Sequence, residues 1–112
     1  MKYYIDDKLV RTSKTRTYTH AVLFGDKVKS CSGSYELAKK EMDRRIAELD
    51  ESIRNSKLAI AAIEEGKNYY WSTFKRRSYK AEITSTREEY LGYIAANEEL
   101  KTRYHIRELE AR

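Results

Sequence analysis

Residues 34–66 read SYELAKKEMDRRIAELDESIRNSKLAIAAIEEG and carry an apolar repeat with the spacing of a long amphipathic helix. The apolar members follow one another at steps of three, four or seven, with Ser56 filling one position: Tyr35, Met42, Ile46, Leu49, Ile53, Ile60 and Ile63. We call this series the heptad seam. Charged residues of both signs lie between its members, as on a solvated helix face. The pattern predicts a helix whose seam packs along its whole length.

Residue types that start and stop helices lie at both ends of this stretch. The Ser34 hydroxyl is suited to accept a hydrogen bond from a backbone N–H of the first turn, and Glu36 suits the positive end of the helix dipole. Gly66 is suited to the left-handed conformation that ends a helix. About thirty residues make a rod of roughly 45 Å, so the seam requires a long partner.

Residues 1–33 predict a small antiparallel β-meander of three to four strands. Two apolar runs, Lys2–Ile5 and Leu9–Val10, flank the Asp6-Asp7 pair, which indicates a hairpin. A second pair of strand-like runs, residues 18–24 and 27–32, flanks Gly25-Asp26. A sheet of this size needs a cover on its apolar face, and the helix that follows directly is the expected one.

Residues 67–112 predict a second helical segment that lies antiparallel to the first. Tyr70 and Phe74 are four residues apart, as on one helix face, although the alternation in residues 78–84 favours a strand there instead. A break is expected near residues 84–86, where Ser85 and Thr86 each precede a glutamate at the capping-box spacing. The stripe beyond it is Tyr90, Tyr93, Ile94, Asn97, Leu100 and Tyr104.

The predicted fold is therefore α+β: an N-terminal meander followed by a long antiparallel helical hairpin, in one domain over residues 1–112. Cys31 is the sole cysteine, which excludes an intrachain disulfide and suits a reducing compartment. The first residues lack the apolar core of a signal peptide, and no stretch has the roughly 20 apolar residues of a membrane span. We expect a cytoplasmic protein with no membrane partner.

No motif points to catalysis, a cofactor or a metal. The four glycines form no phosphate-binding loop, and His20 and His105 are 85 residues apart. Glu64-Glu65 and Glu88-Glu89 are adjacent pairs, so within a helix their side chains point in different directions. We expect a non-enzyme that holds neither cofactor nor metal.

Positive charge is concentrated in two places. Residues 67–80 have five basic and no acidic side chains, and residues 1–33 have seven basic and three acidic ones, within a net charge of +5. The first candidate site is the aromatic–basic segment, which comprises Tyr69, Tyr70, Trp71, Phe74, Lys75, Arg76, Arg77 and Lys80. Its interleaved aromatics and cations suit single-stranded nucleic acid, or a protein interface anchored by Tyr, Trp and Arg. The alternative is that Tyr70, Trp71 and Phe74 pack the sheet against the helices.

The second candidate site is the basic loop with Arg11, Lys14 and Arg16, among serines and threonines. Such side chains are common phosphate contacts. The alternative is a strand edge that positive charge protects from aggregation.

In size, tyrosine content and its predicted sheet-plus-helical-hairpin plan, the chain resembles the small accessory proteins of phages and mobile elements, including anti-CRISPR proteins. That resemblance implies a protein that binds a host nuclease complex and blocks it. Many such inhibitors are acidic DNA mimics, whereas this chain is net basic. Our interpretation is a binding protein that blocks or modulates a larger protein or nucleoprotein. Direct single-strand binding, and a structural homodimer through the heptad seam, are the alternatives.

Overall fold

The computed structural model covers residues 1–112 and has an α+β fold with two helices and eight antiparallel strands in three sheets. The strands are β1 (Lys2–Ile5), β2 (Lys8–Thr12), β3 (His20–Phe24), β4 (Lys27–Ser32), β5 (Tyr69–Phe74), β6 (Arg77–Glu82), β7 (Tyr104–Glu108) and β8 (Glu110–Ala111), and the helices are α1 (Tyr35–Glu64) and α2 (Arg87–Lys101). The chain divides into two compact units. Residues 1–46 and 102–112 form the sheet unit, and residues 47–101 form the hairpin unit.

Two hairpins begin the sheet unit, as the turn residues predict. Asp6 and Asp7 join β1 to β2 with φ angles of 48° and 66°, the left-handed pair of a type I′ turn. Aspartate tolerates this conformation better than most residues, because its short side chain bonds locally. Gly25 begins the β3–β4 turn at a φ of 62°, where it carries no Cβ penalty.

The two hairpins do not form one meander, which corrects the predicted sheet. They lie in separate three-stranded sheets, in the orders β2-β1-β8 and β4-β3-β7. The C-terminal residues supply the third strand of each, so the prediction of a helix that includes Tyr104 and His105 is wrong. Backbone partners about eighty residues earlier, such as Phe24 opposite Tyr104, satisfy the β7 ladder, and the local pattern does not reveal them.

Apolar residues from both sheets make the core of this unit. Ile5, Ala21 and Leu23 are buried, and Val10, Val28, Cys31 and Leu109 pack against them. Tyr3 is 1% exposed, and its hydroxyl donates to the Arg16 carbonyl and accepts from the Tyr18 N–H, both at 3.1 Å. Tyr3 therefore holds the loop that carries Arg16.

Replacement of Tyr3 by phenylalanine is expected to lower the free energy of unfolding by about 2 kcal/mol, because it leaves a backbone N–H and a C=O without their partner. Urea denaturation followed by circular dichroism measures this. Tyr4→Phe is the control, since the same hydroxyl is removed from the neighbouring residue of β1. Equal midpoints for the two variants would contradict the role of the Tyr3 hydroxyl.

Helix α1 begins and ends as predicted. The Ser34 hydroxyl accepts from the Leu37 N–H at 3.1 Å, and Gly66 follows the helix at a φ of 76°. Along the heptad seam, Ile53 and Ser56 are buried within the single chain, whereas Tyr35 is exposed. The middle of the seam therefore has intrachain partners.

The chain after α1 departs from the predicted second helix. Residues 69–82 form the β5–β6 hairpin, because Tyr, Trp, Thr and Phe favour strands and the two strands pair antiparallel from Tyr69–Glu82 to Phe74–Arg77. The predicted strand alternative at 78–84 is close to β6. Helix α2 starts with a capping box, in which Thr86 and Glu89 each accept from the other's backbone N–H.

Within the hairpin unit, α2 runs antiparallel to the second half of α1. Two ion pairs give this direction: Arg87 to Glu64 at 3.4 Å, and Lys101 to Asp50 at 2.6 Å. The predicted helical hairpin is therefore present in shortened form, with a β-hairpin inserted between its helices.

Candidate macromolecule-binding site

The β5–β6 hairpin holds all eight residues of the aromatic–basic segment. They are Tyr69, Tyr70, Trp71 and Phe74 on β5, Lys75 and Arg76 in the turn, and Arg77 and Lys80 on β6. The sequence predicted these residues as one group, and pairing of the two strands brings them together within fourteen positions of a single ribbon.

The register divides the side chains between the two faces of the hairpin. Trp71 lies opposite Lys80, and Phe74 lies opposite Arg77. Directly opposite residues share a face and successive residues alternate, so Tyr69, Trp71 and Lys80 lie on one face. Phe74, Arg77 and Tyr79 lie on the other. Each face therefore pairs aromatic rings with a cation.

Most of this hairpin is exposed to solvent. All seven residues from Phe74 to Lys80 are exposed, and Trp71, Phe74 and Tyr79 have exposed fractions of 57%, 52% and 45%. The packing alternative thus fits Tyr70 alone, which is half-buried, and burial raises the pKa of its phenol. Because exposed aromatic area next to cations is not used in folding, it is available to a partner.

The turn of the hairpin has an unusual composition for its geometry. Lys75 and Arg76 have φ angles of 48° and 66°, the same values as the Asp6-Asp7 turn. Type I′ turns favour Asn-Gly, because both central residues have positive φ. Placing two long cations there costs roughly 1 kcal/mol or more per residue. The turn therefore retains positive charge at a cost in stability.

The cations of the segment have aromatic rather than acidic neighbours. No carboxylate lies within ion-pairing distance of Lys75, Arg76, Arg77 or Lys80 in this structure. The Lys80 ammonium is 4.5 Å from the centre of the Tyr69 ring, and the Lys75 ammonium is 5.3 Å from that of Phe74. The charges are thus open to an anionic ligand.

Asn55 of α1, which the sequence interpretation missed, fixes the position of the hairpin within its unit. Its side-chain amide donates to the Thr73 carbonyl at 2.8 Å, and its carbonyl accepts from the Thr73 N–H at 2.7 Å. The asparagine amide therefore pairs with β5 as a neighbouring strand would. An isolated asparagine within a polar helix face gave no signal of this role.

The basic loop belongs to the sheet unit. Arg11 lies within β2, one residue before its end, and its guanidinium is 5.3 Å from the centre of the Tyr18 ring. Lys14 and Arg16 lie in the following loop and are exposed. Arg16 borders a groove of about 720 Å³ that Cys31, Leu37 and Lys40 also line. Burial raises the pKa of the Cys31 thiol, so its thiolate is disfavoured at neutral pH.

The two histidines lie in strands of the sheet unit, His20 in β3 as predicted and His105 in β7. No group of three or more His, Cys, Asp or Glu side chains is placed to hold a metal ion.

Neither helix is both long and apolar enough to cross a bilayer. No protein-family model, curated protein or solved structure matches this chain.

Proposed function

We propose that this chain is a non-enzymatic binding protein that modulates a larger nucleoprotein partner, and that the β5–β6 hairpin is its docking element. One observation carries the proposal: seven consecutive exposed residues combine aromatic rings with four cations that have no acidic partner. Folding gains less from such a ribbon than from core residues, since Phe74 and Tyr79 remain 52% and 45% exposed. A phosphate-rich partner surface supplies the missing counter-charge.

The turn supports the same proposal. Lys75 and Arg76 occupy left-handed positions that Asn and Gly fill at lower cost. Strained positions of this kind concentrate at functional sites, where another requirement outweighs stability. Here that requirement is positive charge at the end of the ribbon.

Blocking is the form of modulation that we favour. We infer that the protein occupies a surface that the larger complex needs and competes there for the same ligand. The resemblance to phage-encoded inhibitors of host nucleases agrees with this interpretation, and a CRISPR effector is one complex of the expected kind.

The test uses a variant that removes charge without harming the fold. Lys75→Asn/Arg76→Gly installs the preferred type I′ residues, so the protein is expected to gain about 1 kcal/mol of stability while it loses two cations. Lys2→Gln/Lys8→Gln is the matched control, because it removes two exposed cations from the sheet unit. Tagged forms of all three proteins are used to capture partners from a lysate of the source organism.

We expect the wild-type and control proteins to capture the same complex in similar amounts. The turn variant is expected to recover about tenfold less of it. Quantitative mass spectrometry of nuclease-treated and untreated halves measures recovery and separates protein contacts from nucleic-acid contacts. Equal recovery by all three proteins would refute the hairpin as the docking element. If the control variant lowered recovery as much as the turn variant does, the capture would reflect nonspecific charge attraction. That result would also refute the hairpin as the docking element.

A further inference from the structure

Strand β5 borders a mostly apolar groove within the hairpin unit. Leu58 and Ala61 of α1 form one wall, and Tyr69 and Trp71 of β5 form the other, around about 200 Å³ of space. Glu65 and Lys67 also line the groove, where the lysine ammonium neutralises the carboxylate at 3.1 Å. Leu58 is 37% exposed and Trp71 57% exposed. Large apolar side chains from two elements thus leave adjacent surface uncovered.

Trp71 presents an unoccupied aromatic surface at this groove. No other aromatic ring stacks on the indole, and no cation lies over it, whereas the neighbouring Tyr69 ring is already next to the Lys80 ammonium. Lys80 lies directly opposite Trp71 in the ladder, on the same face. The groove therefore offers a free stacking surface with a cation beside it.

These features match one ligand chemistry. Single-stranded nucleic acid has flat apolar bases that stack on aromatic side chains, and a phosphate at each step that pairs with Lys and Arg. The bases of a duplex are stacked on each other and cannot enter such a groove unless they are flipped out. A polyglutamate chain matches the cations but has no planar ring for the indole face.

We propose that the groove between Leu58 and Trp71 accepts one unstacked base of a single strand, whose phosphates run along Lys80 and the cationic turn. This inference rests on the proposed function, since it names what the hairpin contacts in its nucleoprotein partner. It also adds Leu58 and Ala61 of α1 to a site that otherwise lies on the hairpin alone.

The single tryptophan makes the test direct, because all indole fluorescence comes from Trp71. The full-length protein is titrated with a twelve-nucleotide oligothymidylate, with a duplex of the same length, and with polyglutamate of equal charge. We expect the oligothymidylate to quench the fluorescence and to bind at least tenfold more tightly than the other two. Quenching of equal strength by polyglutamate, or none by the oligothymidylate, would refute the proposal.

Variants locate the base in the groove. Trp71→Ala is expected to weaken binding of a labelled oligothymidylate about tenfold, as measured by anisotropy, and Trp71→Phe less, because a ring is kept. Leu58→Ser is expected to weaken this binding several-fold by removing the other wall of the groove. Leu91→Ala, at a similarly exposed leucine of α2, is expected to leave the binding unchanged. Equal affinities for Leu58→Ser and Leu91→Ala would place the base outside the groove and refute the proposal.

Salt dependence separates this inference from the proposed function. The logarithm of the association constant for the oligothymidylate is expected to fall linearly with the logarithm of the salt concentration. In Lys75→Asn/Arg76→Gly this slope is expected to be shallower by about 0.7 for each phosphate contact that the variant loses. If the oligothymidylate fails to bind while the turn variant still loses its captured complex, the inference is wrong and the proposed function stands. If the capture also fails to depend on the turn, both are wrong.

Discussion

Replacement of Asn55 by alanine is expected to lower the stability of the hairpin unit by about 3 kcal/mol and to abolish binding through the hairpin. The Asn55 amide makes three hydrogen bonds to Thr73, two to its backbone and one to its hydroxyl. Alanine leaves that backbone N–H and C=O, which are partly buried, without partners, and each orphan costs about 1–3 kcal/mol. The outer edge of β5 then loses the backbone hydrogen bonds that attach it to α1.

Trp71 reports on this change from within the hairpin, so urea denaturation followed by its fluorescence measures the effect. Asn97→Ala is the matched control. Asn97 is a half-buried asparagine of α2 whose side chain makes no hydrogen bond in this structure, and alanine is the better helix former. We expect the control to change stability by no more than about 0.5 kcal/mol. Asn55→Ala unfolding at the control midpoint would contradict the anchoring role.

The second large effect is expected at Leu23, which is 4% exposed in the core of the sheet unit. Leu23→Ala removes most of a side chain that lies among Ile5, Val10 and Val28. Deleting a buried leucine costs about 2–5 kcal/mol, because contacts are lost and a cavity remains. The expected loss is near the middle of that range, since the surrounding side chains belong to strands of two different sheets.

Thermal unfolding followed by circular dichroism measures this loss. Leu9→Ala is the control, because Leu9 is a leucine of the same unit that is 47% exposed, and its loss is expected to change stability by about 0.5 kcal/mol or less. Folded Leu23→Ala protein is expected to keep hairpin binding, since Leu23 lies outside the hairpin unit. Similar melting of the two variants would place Leu23 outside the core.

Prediction from sequence succeeded where the interacting residues are only a few positions apart in the chain. The Ser34 cap, the Gly66 stop, and the Asp6-Asp7 and Gly25-Asp26 turns are all present. It failed at Lys75-Arg76, since neither residue is a preferred turn former and pairing of β5 with β6 sets the conformation of the turn between them. The spacing of Tyr70 and Phe74 then resembled a helix face, although both are strand residues.

The candidate site was predictable in composition and not in geometry. The sequence alone placed five cations and no acid in residues 67–80, which is a property of the covalent chain and holds in any fold. It did not show that Trp71 and Phe74 are exposed while Tyr70 is half-buried, because exposure depends on what packs against each face. The roles of Asn55 and Leu58 became visible only in the structure, where these α1 residues lie next to β5.

The sequence by itself determined the long helix, its ends, the first two hairpins and the basic aromatic character of one segment. Periodicity, capping and turn preferences act between neighbouring residues, so they can be recognised in the sequence before the fold is known. The tertiary structure alone decided that residues 104–111 complete two sheets and that Asn55 anchors the β5–β6 hairpin on α1. Pairing of β7 and β8 is non-local, and such a strand is stable only once its distant partner supplies the hydrogen bonds.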